Sequence, residues 1–339
     1  MTNDKDKNSI SSSLDEALSK AETLTNHKIL LTSWAKLQEY PNVFVSISGG
    51  ADSDIMLDIL ERTNLCNADI TYCFFDTGIE YQATKDHLKK LEQKYGITIK
   101  RKKSKCPVPL AVHKYGVPFL SKRISMYIGR LQKHNFQWQD LPFDELVQKY
   151  PKCISALKWW CNQWGENSSF NISRSAFLKE FLIANPPKFR ISDECCNKAK
   201  KSIAHDALKS GEYKMNCTGV RRCENGVRST IYHNCFTPAD DQNDIANYRP
   251  LFFMNDEDKA IYEQNFDVSH SCCYTQYGLK RTGCAGCPFG SRFEEELDIL
   301  KQHEPKLYKA VNNIFGQSYE YTRAYRKFKE EMKKKKKDQ

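Results

Sequence analysis

The stretch NVFVSISGGADSDIMLDILER, from Asn42 to Arg62, constrains the fold more than any other part of this chain. Its first six residues are mostly β-branched or aromatic, which predicts a short buried strand. Two glycines end the strand. The residues that follow have a helical pattern, with Ile55, Leu57, Ile59 and Leu60 as candidate buried positions. A second strand, DITYCFFDTG, is expected at 69–78. A helix is expected over YQATKDHLKKLEQKY at 81–95, and a third strand over ITIKRKK at 97–103. Strand and helix alternating at this spacing predict an α/β fold. The expected form is an open, mostly parallel sheet with helices on both faces and right-handed crossovers.

The rest of the chain divides around this unit. Residues 1–12 are polar and read as disordered; Ser13 and Glu16 fit a capping box, so 1–40 reads as an N-terminal helical segment. The α/β domain spans 41–290, with a helical insertion at about 120–190 that holds Trp138, Trp159, Trp160 and Trp164 and closes on Pro186 and Pro187. Core packing is the preferred reading of these tryptophans, ahead of base stacking. Ser291 and Glu294 predict another helix start, with C-terminal helices over 291–330 and a disordered lysine-rich tail over 331–339. With 40% hydrophobic residues among 339, a substantial core is available. No signal peptide is read at the N-terminus and no apolar run reaches the ~18 residues of a membrane helix, so a cytoplasmic protein is expected. The formal net charge is +10, and half of it comes from Lys333–Lys337. Anionic partners are permitted by this balance, not required by it.

SISGGADSD lies where an open α/β sheet binds ligands, at the carboxyl end of its first strand. Gly49 and Gly50 let backbone N–H groups approach a phosphate, and the following helix N-terminus adds partial positive charge. Ser48 and Ser53 add hydroxyls. Asp52 can cap the helix or help hold Mg2+. The loop is neither a Walker A sequence nor a G-x-G-x-x-G fingerprint. It resembles the S-G-G-x-D-S PP-loop of the adenine nucleotide alpha-hydrolase superfamily, whose members bind ATP and release pyrophosphate. Ala51 stands where many members have lysine, so phosphate charge must be neutralised by Mg2+ or by later arginines.

Fourteen cysteines in a cytoplasmic chain point to metal binding or catalysis rather than to disulfides. Cys66, Cys73, Cys106, Cys153 and Cys161 read as small buried hydrophobes. Cys284 and Cys287 form a C-x-x-C turn, which supplies two ligands of the four that zinc or an iron–sulfur cluster usually needs. Cys195 and Cys196 can supply the other pair, although Cys217, Cys223, Cys235, Cys272 and Cys273 also compete. The eight histidines show no metal-ligand spacing; His113, His134, His205 and His233 read as surface or core residues.

These pieces together resemble the sulfonucleotide (APS and PAPS) reductases and their relatives. Cys-Cys, a gap of 87 residues (197–283) and Cys-x-x-Cys resemble the 4Fe-4S motif of assimilatory APS reductases. The resemblance therefore implies a 4Fe-4S cluster on Cys195, Cys196, Cys284 and Cys287, with Zn2+ the alternative. It places Lys200, in CCNKAK, near the cluster and substrate. FFDTGIEYQAT resembles the family's D-T-G segment and implies nucleotide contacts from Asp76, Thr77 and Gly78. TGVRRCENGVRST resembles a block of anion-binding arginines, here Arg221, Arg222 and Arg228, whose guanidinium forks match phosphate or sulfate. RPLFFMNDEDKAIY, 249–262, resembles the segment leading into the cluster turn.

Two departures shift the expected chemistry. The reductases attack with a cysteine near the C-terminus, whereas no cysteine follows Cys287 here. SGGADS is also closer to ATP-using PP-loops. The expectation is therefore an ATP pyrophosphatase-like transferase that adenylates an acceptor and is linked to sulfur transfer, with Asp52, Lys200, Arg221 and Arg228 as catalytic candidates. The acceptor would be a nucleic acid or a sulfur carrier. The alternatives are a true sulfonucleotide reductase working through Cys272 or Cys273, and a non-catalytic zinc-stabilised module that binds nucleic acid through its lysines.

Overall fold

A computed structural model describes residues 14–209, 211–224, 231–240 and 244–337. Residues 1–12, the Ser13 cap, Arg228 and the end of the expected tail at 338–339 lie outside the described residues. The chain divides into two compact units. One consists of Met1–Asp76, Glu80–Ser104 and Ser202–Gly283; the other of Thr77–Ile79, Lys105–Lys201 and Cys284–Gln339.

The first unit is built on one six-stranded sheet. Its strands are β1 (Asn42–Ile47), β2 (Asp69–Asp76), β3 (Ile99–Lys103), β4 (Met215–Cys217), β5 (Phe236–Thr237) and β6 (Ala246–Tyr248). They lie in the order β3-β2-β1-β4-β6-β5, with β5 antiparallel to β6 and every other pair parallel. Successive strand residues face opposite ways. Val43, Val45 and Ile47 accordingly join a core with Leu30, Ile55 and Leu88, while Phe44 packs with Cys73 and Ala207 in a separate cluster. Helical segments thus cover both faces.

Three helices follow the expected alternation: α1 (Leu24–Glu39), α2 (Ala51–Thr63) and α3 (Gln82–Tyr95); a fourth, α4 (Asp256–Asn265), comes later. Thr23 caps α1 by accepting the Asn26 N–H at 3.1 Å. Gly96, at φ +64°, ends α3 in the left-handed conformation that favours glycine. α2 is more buried than its pattern predicts. Met56 is buried beside Ile55 and Leu57, and so are Asp54 and Asp58. Two carboxylates can be buried there because each has partners. Asp58 receives Arg62 at 2.6 Å and the hydroxyls of Tyr95 at 2.7 Å and Tyr262 at 2.8 Å.

The second unit is helical. The insertion supplies Val108–Tyr115, Lys122–Lys133, Phe143–Lys149, Ile154–Trp160 and Leu178–Ala184, and the C-terminal part adds Phe293–His303 and Pro305–Lys337. Insertion and C-terminal helices share one core, in which Tyr325 joins Phe119, Trp160 and Phe181. Trp138, Trp159 and Trp160 are core residues as expected. Trp164 is not, being 38% exposed. The lysine run also departs from expectation: the last helix continues through Lys333 to Lys337 instead of ending near 330. Lysine is a good helix former, and cations favour a helix C-terminus. Among the described residues, no helix is long and apolar enough to cross a membrane.

Candidate functional site

In the first unit, β1 lies between β2 and β4, so the chain's direction of travel across the sheet reverses at β1 and β4. A crevice at the carboxyl ends of such strands is the usual ligand site of an open α/β sheet. Ser48–Ser53 follows β1 there, and Thr218–Arg221 follows β4. Gly49 adopts φ +68°, and a Cβ on it would lie 2.7 Å from Thr84 Cγ2, so only glycine fits this turn. Ser53 braces the loop: its hydroxyl donates to Gly50 O at 2.8 Å and accepts the Gly50 N–H at 3.1 Å. Ser48 Oγ lies 3.2 Å from Ser53 Oγ.

The N-terminus of α2 already holds an oxygen. The Ala51 N–H donates to the hydroxyl of Tyr274 at 3.1 Å, and the Thr282 N–H donates to the same oxygen at 3.2 Å. Thr282 Oγ1 lies 3.1 Å from it. The phenol oxygen therefore marks where an acceptor atom sits on these amides.

Asp52 gathers two cations beside the loop. Lys259 Nζ, from α4, is 2.7 Å from one carboxylate oxygen and Arg221 Nε is 3.2 Å from the other. Arg221 also reaches Asp256 at 2.8 Å. Burial pushes the Asp52 carboxyl up, but the hydrogen bond and charge of Lys259, with the charge of Arg221, hold it below its ordinary value. Lys259 thus brings a lysine to a loop that lacks one at Ala51.

Behind Asp52 runs a chain of ion pairs that the sequence reading missed. Lys259 is 3.7 Å from Glu263, and Glu263 is 2.8 Å from His270 Nε2. His270 Nδ1 is 2.9 Å from the fully buried Asp54, which also faces His87 at 3.0 Å. Burial disfavours the His270 cation, yet Asp54 and Glu263 outweigh it and raise its pKa to about 9. The two links to α2, Lys259 to Asp52 and His270 to Asp54, each span more than 200 residues and leave no local motif. The available signal was an acid at position 54, directly before the apolar run Ile55–Met56–Leu57.

The four candidate cysteine ligands all belong to the second unit. Cys195 and Cys196 form the short helix Glu194–Cys196, which runs into a π-helical turn, Asn197–Lys201. Gly286 turns the C-x-x-C loop at φ +60°, and a Cβ there would lie 2.7 Å from the Tyr319 hydroxyl. That hydroxyl donates to Gly286 O. The two adjacent thiols act on each other: that of Cys196 is lowered by Cys195, with help from Lys122 and Lys200, and that of Cys195 is raised by Cys196 and by burial. Burial and the neighbouring Cys284 push Cys287 up to about 12. The charges of Cys284 and Cys287 act on Cys195, which puts all four thiols in one neighbourhood. Among the described residues, however, no group of three or more His, Cys, Asp or Glu side chains is set to hold a single metal ion.

The other candidates fall as follows. Asp76 ends β2, and its carbonyl accepts the Ser104 N–H at 3.1 Å. Thr77 and Gly78 belong to the second unit, where Thr77 Oγ1 is 3.5 Å from Cys284 Sγ. Lys200 stands near Cys196, in the second unit, whereas Asp52 and Arg221 are in the first. Cys273 is fully buried, with its sulfur 3.6 Å from Thr84 Oγ1.

A glycine loop at the switch point of an open, mostly parallel sheet defines the structural class. The family model described as phosphoadenosine phosphosulfate reductase domain matches residues 42–123, the segment that runs from β1 into the insertion. Among solved structures, the chain is similar to PAPS reductase from Candida auris in a phosphate complex, at 15% identity over 80% of this chain and 93% of that one, with a TM-score of 0.41. It is similar to the NH3-dependent NAD synthetase of Campylobacter jejuni, at 11% identity over 87% and 93%, TM-score 0.36. It is also similar to the U34-tRNA thiolase NcsA of Methanococcus maripaludis with its 4Fe-4S cluster, at 12% identity over 90% and 80%, TM-score 0.35. No curated protein sequence matches the chain.

Proposed function

We propose that the first unit binds ATP over Ser48–Ser53 and transfers its adenylyl group to an acceptor in a reaction linked to sulfur transfer. The observation that carries this reading is the pairing of Asp52 with Lys259 and Arg221 beside a glycine loop. In the proposed reaction an acceptor oxygen attacks the α-phosphorus. A new P–O bond forms, the bond to the β-phosphate oxygen breaks, and pyrophosphate leaves. Lys259 and Arg221 neutralise the charge that grows on the leaving group, and the α2 amides add donors. Asp52 serves as a positioning residue that keeps both cations at the loop. Since its carboxylate is committed to them, these residues do not build a magnesium site, and Mg2+ enters only as a companion of the substrate phosphates.

Cys195, Cys196, Cys284 and Cys287 would hold an iron–sulfur cluster in the second unit. Their donor chemistry fits, being four thiols in one neighbourhood. Zn2+ on the same four thiols is the alternative, and metal analysis of the purified protein separates the two. A cluster supplies a Lewis-acidic or redox-active iron; the protein supplies burial of Cys195 and the lysines Lys122 and Lys200 nearby.

The test is calorimetric titration of anaerobically purified protein with ATP, APS and PAPS, together with an assay for pyrophosphate. Binding of ATP, weakened in Asp52→Asn, supports adenylation. Preference for a sulfonucleotide, with release of sulfite, would replace it by the reductase reading. The matched family's name favours that second reading; the burial of Cys273 weighs against that residue as its nucleophile and leaves the half-buried Cys272 as the candidate.

A further inference from the structure

In the second unit, the loop between Ile154–Trp160 and Leu178–Ala184 exposes two large aromatic rings. Trp164 is 38% exposed and Phe170 45% exposed, with ring centroids 5.9 Å apart. The loop is braced from within. Asn171, which is buried, accepts the Trp164 N–H at 3.1 Å and donates to Gly165 O at 2.7 Å. Asn162 accepts the Ser173 N–H at 3.1 Å, and Arg174 donates to Asn167 O at 2.6 Å. A loop tied in this way presents its rings with little entropy left to lose on binding.

Each ring carries a cation. Arg123 lies 4.5 Å from the Phe170 centroid and Lys158 5.4 Å from that of Trp164. The last helix adds more. Tyr325 donates to Ala176 O at 2.8 Å, and Lys336 sits 5.0 Å from the ring of Phe177, so the exposed Lys333–Lys337 run ends beside the same loop. Between Asn162 and Lys179 the only acid is Glu166; Glu330 and Glu331 precede the lysines on the helix. Flat rings backed by positive charge suit a ligand that is itself flat and anionic at regular intervals. Unpaired nucleotides have that chemistry, since every base offers a π-face and every linkage a phosphate.

We propose that this surface binds single-stranded nucleic acid, with Trp164 and Phe170 stacking on bases while Arg123, Lys158 and Lys333–Lys337 engage phosphates. The proposal does not depend on the nucleotide chemistry assigned to the first unit. It is tested with the full chain and fluorescein-labelled single strands, RNA and DNA, of roughly 16 nucleotides, the upper end of known single-strand site sizes. Binding is followed by anisotropy across a salt series. Saturable binding is expected, stronger than to a duplex of the same sequence. Trp164→Ala and Phe170→Ala should each weaken it roughly 5- to 100-fold, the range of a lost base stack. Trp164→Phe should recover most of the loss, which a merely misfolded loop would not allow. Replacing all five lysines by glutamine should flatten the salt dependence. Absence of saturable binding would overturn the proposal. So would equal affinity for duplex, or affinity unchanged by both aromatic substitutions, since either would leave only non-specific charge.

Discussion

Tyr274 and His270, whose rings lie 5.9 Å apart, act on the start of α2 in different ways. The Tyr274 hydroxyl occupies the Ala51 and Thr282 amides, so a phosphate oxygen must compete with it for them. Tyr274→Phe removes the competitor. Nucleotide affinity should rise about 2- to 10-fold, the worth of one hydrogen bond; calorimetry showing a fall instead would make the hydroxyl part of the binding site. His270 bridges Asp54 and Glu263, with His87 at the same Asp54 oxygen and Lys259 at the same Glu263 oxygen. Its raised pKa means that its stabilising charge is fully present below its ordinary 6.5 and is lost as pH climbs through about 9. The melting temperature of His270→Gln should therefore fall furthest below the parent near pH 6, and the gap should narrow above pH 9. A gap independent of pH would show that His270 acts by packing alone.

At the scale of elements, the C-x-x-C turn depends on Gly286. Gly286→Ala forces a methyl group against the Tyr319 hydroxyl at a positive φ. The expected loss is about 1–3 kcal/mol, together with a lower iron content after anaerobic reconstitution; calorimetric melting and metal analysis check both. The β1–α2 and β2–α3 alternation was legible because its strands are runs of apolar residues and its helices repeat with their own period. β4 to β6 were not. Met215–Cys217 and Ala246–Tyr248 are three residues each and Phe236–Thr237 is two, too short for any period to register. The loop residues Ser48, Gly49, Gly50, Asp52 and Ser53 were legible because they are contiguous. Lys259, Glu263 and His270 were not, because only the fold carries them to Asp52 and Asp54. The lysine run was misread because its charge was weighed without its helix propensity.

At the scale of the molecule, the second unit is completed by the last helix. Phe315, Tyr319 and Tyr325 are buried there, and Tyr325 packs on Phe119 and Phe181. Removing the chain from Pro305 onward should abolish cooperative melting of this unit and expose apolar surface; a truncated protein with an unchanged near-UV spectrum would contradict that. The first unit is interrupted in turn, since β1 pairs with β4 only after the whole insertion has intervened. During synthesis, about 170 residues separate Ile47 from Met215, so at typical elongation rates one edge of β1 waits roughly 10–30 s for its neighbour. Val43, Phe44 and Val45 form that waiting edge, an apolar strand with unpaired amides. A nascent chain halted anywhere in the insertion would carry an open sheet edge out of the ribosome, and its need for a chaperone should end only once Tyr248 has emerged, since β4 in turn waits for β6.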